Sequence, residues 1–284
     1  MDPADASHHR PGQAEPLIGP AAAPALHVMS WNIRRRADPP FLRTADRWEE
    51  RAPRLQTLLE AEQPTLLGVQ EALADQASFV QSALGEGYLS LGEGRGPRGG
   101  GEGNPILYDA DRLKVLHWEQ AALSTRPHKP GSRSWASIYP RIMVSAIFRD
   151  RLTGSQFLAI NTHLDHLSPL ARLMGARALS RSAQAASAPT LITGDFNARA
   201  GSRPLAELQS AGQMADAWTA AEHRLSREWD TYAHYRQPRA TGRRVDWILT
   251  SPSFRVVDAA INTAHAAGGW ASDHLPVQAT VRLA

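Results

Sequence analysis

The sequence predicts an α/β fold in which two β-sheets pack face to face and helices cover their outer sides. Three observations carry this prediction. Segments with strand patterning outnumber those with helical patterning. Some successive strands are separated only by turn residues, as in hairpins, and others by a helical stretch, as in crossovers. Several strands are short apolar runs, the pattern of a strand buried on both faces.

The elements follow in order. Leu26-His27-Val28-Met29-Ser30-Trp31-Asn32 alternates like a strand. From Arg47 to Glu62, Trp48, Ala52, Leu55, Leu58 and Leu59 fall on one side of a helix, and Pro64 stops it. Thr65 to Gln70 is a buried strand, and Ala74 to Leu84 a helix. The Gly-rich stretch Gly92 to Gly103 lacks the Lys-Ser/Thr ending of a phosphate-binding loop and is expected to be a flexible loop. Ile106 to Tyr108 and Leu113 to Trp118 read as strands joined by the turn Asp109-Ala110-Asp111. Arg141 to Phe148 and Gln156 to Thr162 form a strand pair with Thr153-Gly154 in the turn. Leu170 to Ala186 is the longest helix. Thr190 to Thr193, Val245 to Thr250 and Val277 to Leu283 are the remaining clear strands.

No Ser/Gly/Pro linker divides residues 26–284, which read as one domain. Residues 1–25, rich in Ala, Pro and His, have no periodic apolar face and are expected to be a disordered tail rather than a secretory signal. No run of 18 apolar residues occurs, so no membrane span is predicted, and a cytoplasmic location is expected. Cysteine is absent, which excludes disulfides and thiolate metal sites. Any metal must be held by carboxylate, amide, water or imidazole, a choice that suits magnesium, manganese or calcium. The 31 Lys and Arg against 28 Asp and Glu give a net charge of +3, which permits an anionic substrate without requiring nucleic acid.

Five segments set polar, metal-competent residues at the ends of apolar strands, where a rigid scaffold presents groups to a common cleft. In Thr193-Gly194-Asp195-Phe196-Asn197 a carboxylate and an amide sit two apart, so both can face one side. Such an Asp can orient or deprotonate a water, and the Asn can hold that water or a phosphate oxygen. In Ser272-Asp273-His274 an acid and an imidazole lie at a strand entrance. Asn161-Thr162-His163-Leu164-Asp165-His166 offers three metal-competent side chains in four residues. Glu71 ends a buried apolar run, where an unpaired charge is costly. Asp246 sits inside the strand pattern Arg244 to Leu249 and calls for a His or Arg partner. Taken singly, each has a plain structural explanation: an Asx turn, a capping Asp, a solvated Glu or a structural His.

In this order, Trp31-Asn32, Gln70-Glu71, Thr162-His163, Gly194-Asp195-Phe196-Asn197, Val245-Asp246 and Ser272-Asp273-His274 resemble the endonuclease/exonuclease/phosphatase superfamily from about Leu26 to the C-terminus. Pro105-Ile106-Leu107-Tyr108, Pro140-Arg141 and His163-Leu164-Asp165-His166 resemble a bacterial subgroup similar to the carbon-catabolite-repressor deadenylases. The resemblance implies a four-layer α/β sandwich, with two packed mixed β-sheets, outer helices and a site at one rim. It implies a catalytic domain over residues 26–284 that hydrolyses a phosphoester with Mg2+ or Mn2+. Glu71 is then the main metal ligand, with Asn32 and Asp273 close by. Asp195 orients and deprotonates the attacking water, Asn197 helps to position it, and Asp246 holds His274 against the developing charge. His163 contacts the phosphate or assists the leaving group, while Tyr108 and Arg141 touch the phosphate or brace the site.

The substrate stays open at this level. A nuclease-like phosphodiesterase, possible on single-stranded nucleic acid, is the first reading. A phosphatase or phosphodiesterase on an inositol phosphate, sugar phosphate or sphingomyelin-type headgroup is the alternative. A non-catalytic binding module would lack a motif residue, and none is missing. Arg34, Arg35, Arg36, Arg95, Arg98, Lys129, Arg133, Arg243 and Arg244 either line a groove or sit on solvated loops. A monomer is expected.

Overall fold

Alternation along β1 (Leu26–Asn32) sets the layers. Leu26 and Val28 join an apolar cluster with Leu66, Val144, Phe148, Phe157, Leu191 and Ile248, the filling between two sheets. Met29 and Trp31 face the other way and meet Leu55, Leu59, Val80 and Leu84. The computed structural model describes residues 15–37, 43–265 and 268–283.

Among those residues the first sheet has seven strands. From edge to edge they are β10 (His223–Arg224), β12 (Phe254–Ile261), β13 (Val277–Leu283), β1, β2 (Leu66–Gln70), β4 (Ile106–Asp109) and β3 (Tyr88–Leu91). The second has six, in the order β5 (Leu113–Ala122), β6 (Ile142–Asp150), β7 (Gln156–His163), β8 (Thr190–Asp195), β11 (Asp246–Thr250) and β9 (Ala215–Asp216). Helices α1 (Trp48–Glu62) and α2 (Ala74–Leu84) cover the first sheet through Leu55, Leu59, Val80 and Leu84. Helices α3 (Pro169–Ala186) and α4 (Arg203–Gln209) cover the second through Ala176, Leu179, Leu205 and Leu208. A one-turn helix, α5 (Ala217–Ala220), lies at its edge. The fold is the expected four-layer sandwich of two mixed sheets.

Besides the short elements β3, α4, β9, α5 and β10, which the sequence reading did not mark, three details differ from it. The Asp109-Ala110-Asp111 turn does join β4 to β5, but these strands belong to different sheets, so the turn carries the chain from one sheet to the other. β12 escaped notice because a bulge between Val256 and Asp258 shifts the phase of its alternation. Part of the segment expected as a tail is placed. The amides of Leu17, Ile18 and Gly19 donate to the Glu62 carboxylate at 2.7, 3.2 and 3.0 Å. Residues 1–14 lie outside the described residues.

The sheets are joined at one end by a buried polar seam. Asn161 Nδ2 donates to the carbonyls of Val69, Asn104 and Pro105 at 2.8, 3.1 and 2.9 Å. Its Oδ1 accepts from Gln70 Nε2 at 2.8 Å and Thr193 Oγ1 at 3.1 Å. Gly68 makes room: a Cβ there would stand 2.2 Å from Thr193 Oγ1. Any side chain at 68 would push the sheets apart at this end.

Two expected outcomes follow from the docked N-terminal segment. His27 is fully buried, and its Nδ1 lies 2.8 Å from the Gly19 carbonyl, which can only accept, so Nδ1 carries the proton. Nε2 has no partner. Burial, against the pull of Glu62, lowers the ring from the usual 6.5 to about 4. The unfolded chain therefore takes up a proton below 6.5 that the folded chain refuses until about 4. Stability should fall across that window by up to about 1.4 kcal/mol per pH unit. Urea midpoints for wild type and His27→Asn read this, and equal slopes in the two proteins would assign the effect to other groups. Starting the chain at Leu26 instead of Glu15 strips three donors from Glu62 and leaves it Asn262 Nδ2 at 2.8 Å. That truncation should cost about 1–3 kcal/mol of unfolding free energy, the scale of a buried group losing its hydrogen bonds. An unchanged melting temperature would show that water replaces all three.

Candidate active site

Strand direction brings the motif residues to one rim. β1 and β2 run parallel with Asn32 beside Gln70, so Asn32 and Glu71 leave the first sheet together. β7 and β8 run parallel with His163 beside Asp195. β11 is antiparallel to β8 with Asp246 beside Asp195, so its start meets the end of β8. β13 is antiparallel to β1, so the Asp273-His274 segment before it arrives at the same rim. Arg34, Glu71 and Asn197, just beyond β1, β2 and β8, adopt left-handed φ values of 57°, 62° and 49°. Each such turn costs an L-residue roughly 1–2 kcal/mol and bends the chain sharply at the rim.

Asn32 is the bridge between the two halves. Its Nδ2 donates to Glu71 Oε1 and to Asp195 Oδ2, both at 3.1 Å. Asp195 Oδ1 accepts from the Asn197 amide at 2.8 Å. His274 Nδ1 and Asp246 Oδ2 share a proton at 2.8 Å, and His274 Nε2 lies 3.8 Å from Asp195 Oδ2. Asn197 Nδ2 donates to His163 Nε2 at 3.0 Å, which places the proton of His163 on Nδ1. The Tyr232 ring leans on His274, with centroids 4.6 Å apart.

The electrostatics separate these groups. Burial disfavours charge on His274, but the Asp246 carboxylate outweighs it, with help from Asp195 and Asp273, and raises the ring to about 10. Burial, reinforced by the charge of Asp246, pushes Asp195 up to about 7. Burial and then the Arg141 and Arg95 charges hold His163 well below the usual imidazole range, so it is neutral. Burial works against the Glu71 charge, yet His274, the Asn32 amide and Arg34 keep it below the ordinary Glu range.

All of these residues but Asn32 and Asp246 line a cavity of about 500 Å³. Its opposite wall is basic. Arg141, 5% exposed, donates from Nη2 to His166 Nδ1 at 2.6 Å, while its Nε and Nη1 have no hydrogen-bond partner. Arg95 holds Glu102 at 2.8 Å and lies over the Tyr139 ring, which in turn stacks on His166. The Gly-rich loop that carries Arg95 and Glu102 is tied across itself, with Arg95 N donating to the Glu102 carbonyl at 2.8 Å.

Nine of the ten expected site residues converge here: Asn32, Glu71, Arg141, His163, Asp195, Asn197, Asp246, Asp273 and His274. Tyr108 does not. It lies in the intersheet core, edge-on to Phe148 at 5.0 Å. The register explains this: β4 is antiparallel to β2 and pairs Tyr108 with Leu66, at the end of β2 remote from Glu71. Asp165 is structural, accepting from Ser137 Oγ and the amides of Leu167 and Ser168. Arg244 belongs to no groove, since it is buried in ion pairs with Asp216 and Glu228. Tyr139, Tyr232 and Glu102 line the cavity but were not singled out from the sequence. They sit on loops, where no periodic pattern marks them.

The donor set fits a hard divalent cation. Asp195, Asp246 and His274 place one ligand atom each within 4.8 Å of one another, but the shared proton between His274 and Asp246 makes that trio an acid–base unit. The better cradle is all-oxygen. Glu71 Oε2 and Asp273 Oδ2 both turn toward the Arg34 guanidinium, at 3.8 and 3.9 Å, so this corner already selects positive charge.

Comparison with known proteins agrees with this geometry. A comparison with curated protein sequences gives no match. Among solved structures, a mannosyl-6-phosphatase from Bacteroides thetaiotaomicron is 27% identical with a TM-score of 0.84, over 90% of this chain and 99% of that one. An endonuclease/exonuclease/phosphatase family protein from the same organism is 26% identical with a TM-score of 0.84, over 92% of this chain and 98% of that one. The human nocturnin catalytic domain, with bound sulfate, shares the fold at 20% identity and a TM-score of 0.68, over 92% of this chain and 94% of that one. The model of the endonuclease/exonuclease/phosphatase family matches residues 29–274, and the chain belongs to that family.

Proposed function

We propose that this phosphoester hydrolase is a divalent-metal-assisted phosphomonoesterase acting on a small polar phosphate ester of the sugar-phosphate class. The observation that carries the reading is Arg141. Two of its buried guanidinium nitrogens, Nε and Nη1, make no hydrogen bond, Nε lying 3.8 Å from Asp165 Oδ2, and the residue lines the same cavity as Glu71, Asp195 and Asp273. Buried donors of this kind need an acceptor, and Arg95 and His166 beside them suit the multiple oxygens of a phosphate dianion. The likeness to a mannosyl-6-phosphatase supports the same class.

Glu71 and Asp273, with Asn32 adjacent, are the residues that would hold Mg2+ or Mn2+. Such an ion would neutralise charge on the phosphate and the leaving oxygen. Asp195 takes the proton of the attacking water, and Asn197 holds the water or a phosphate oxygen. His274, kept cationic by Asp246, faces the charge that builds on phosphorus. His163 and Arg141 receive the phosphate from the other side. Water adds across the P–O bond, the proton passes to the leaving alkoxide, and an alcohol and inorganic phosphate result.

A nuclease-like phosphodiesterase on single strands is the second reading. The observation that favours it is a second cleft, which shares Asn197 with the first and is rich in arginine.

Replacing Asp195 with Asn or His274 with Ala should each lower kcat by roughly 10²-fold or more, the scale of a lost acid–base group, with unchanged circular dichroism. A His274→Ala enzyme within a few-fold of wild type would make the pair with Asp246 purely structural. Glu71→Gln should raise the magnesium concentration needed for half-maximal activity, and an unshifted titration would remove Glu71 from the metal site. With magnesium, mannose 6-phosphate and related hexose phosphates should turn over faster than bis(p-nitrophenyl) phosphate or a single-stranded oligonucleotide. The reverse ranking would replace the first reading with the second.

A further inference from the structure

We propose that the arginine-rich cleft beside Asn197 is a second anion-binding subsite, which receives another phosphate group of the substrate whose scissile phosphate lies at Asp195. This rests on the phosphoester reading above and adds to it the class of substrate.

The cleft encloses about 630 Å³. Arg172 of α3, Arg199 from the loop after β8, Arg203 of α4 and Arg243 from the loop before β11 all line it, and no acidic side chain does. Among the described residues, none of the four makes an ion pair with a carboxylate. The contrast with the rest of the protein is clear: Arg34, Arg35, Arg95, Arg112, Arg177, Arg244 and Arg255 each hold an acid.

Four cations drawn together from separate segments repel one another, and a cleft of one sign concentrates anions of the other. Arg172 is fixed in place, since its Nη1 donates to the Asp165 carbonyl at 2.7 Å. Ser202 adds a neutral donor to the same wall: its buried Oγ has no hydrogen-bond partner. Guanidinium groups with a hydroxyl form a phosphate-binding set, because each supplies N–H or O–H groups and no competing negative charge.

The two cavities are neighbours, which puts the cleft within reach of a substrate bound at Asp195. Asn197 lines both cavities, and its backbone amide is bonded to Asp195. A molecule with one phosphate at Asp195 that extends past Asn197 meets the arginines next. A lone phosphate ester fills the first cavity only. A second phosphate, whether of a small bisphosphate or the next one along a single strand, fills the second.

Calorimetry tests this in the Asp195→Asn protein with magnesium, which reads binding without turnover. The probes are fructose 6-phosphate, fructose 1,6-bisphosphate and 5′-phosphorylated tetrathymidylate. A charge-assisted contact of this kind should make the doubly phosphorylated probe bind about tenfold or more tightly than the monophosphate. Arg199→Ala with Arg203→Ala should erase that excess, and Arg243→Ala should reduce it. All three arginines are exposed, so melting temperatures should hold. An excess seen with the bisphosphate assigns the source to a small molecule, and one confined to the tetranucleotide assigns it to a strand. Equal affinities for all three probes, or an excess that survives the arginine substitutions, would overturn the proposal. Wild-type hydrolysis of p-nitrophenyl phosphate is read separately. Its absence alongside arginine-dependent binding would sink the phosphomonoesterase reading and leave the subsite standing.

Discussion

One buried amide governs how the two sheets meet. Asn161 lies at the end of β7 with no exposure, and both its polar atoms reach across to the other sheet or the adjacent strand. Three carbonyls and two donors converge on it, and no solvent replaces any of them if it moves. Its partners Val69 and Gln70 immediately precede Glu71, and it lies two residues before His163. The Glu71 side and the His163 side of the cavity therefore move as one body. Gly68 is what allows that approach, because the space a Cβ would need is already taken by Thr193 and Asn161.

From that junction comes an electrostatic problem and its solution. Glu71, Asp195, Asp246 and Asp273 stand at one rim, and at Asp195 and Asp273 desolvation and like charges penalise ionisation. His274 and Arg34 offset them locally. The imbalance that is left falls unevenly. Asp195 carries it as a raised pKa, which makes it a stronger base, and the Glu71–Asp273 corner carries it as an affinity for cations. Beside Asp195, burial and then the charges of Arg141 and Arg95 keep His163 neutral. Carboxylates gathered around Arg34 and guanidinium groups beside Glu102 thus stand in place before any substrate arrives.

Chemistry and recognition are built on different parts of the chain. Asn32, Glu71, His163, Asp195, Asn197 and Asp246 sit at strand ends, in or within two residues of a hydrogen-bonded ladder, and Asp273 and His274 lie in the segment that leads into β13. Arg95, Glu102, Tyr139 and Tyr232, which shape the rest of the cavity, come from loops. Strand ends give positional precision, while loops can vary without disturbing the sheets. One family can for this reason keep its hydrolytic centre and change the molecules that it admits.

The sequence by itself determined the layers and most of the residues that converge on the cavity. Strands such as Leu26–Asn32 and Val277–Leu283 were legible to the residue, because alternation is a local consequence of a pleated strand with unlike faces. Asp195, Asn197, Asp273 and His274 were legible because each motif is a short segment read along the chain. Only the tertiary structure decided what lies across space. It moved Tyr108 into the core through the direction of β4, and Arg244 into an ion pair with Asp216. It drew Arg199 and Arg243, far apart in the chain, into one cleft, and brought the Leu17–Gly19 amides onto Glu62. Local pattern records which face of an element is buried. Which other element it is buried against depends on strand order and direction, and no single segment carries those.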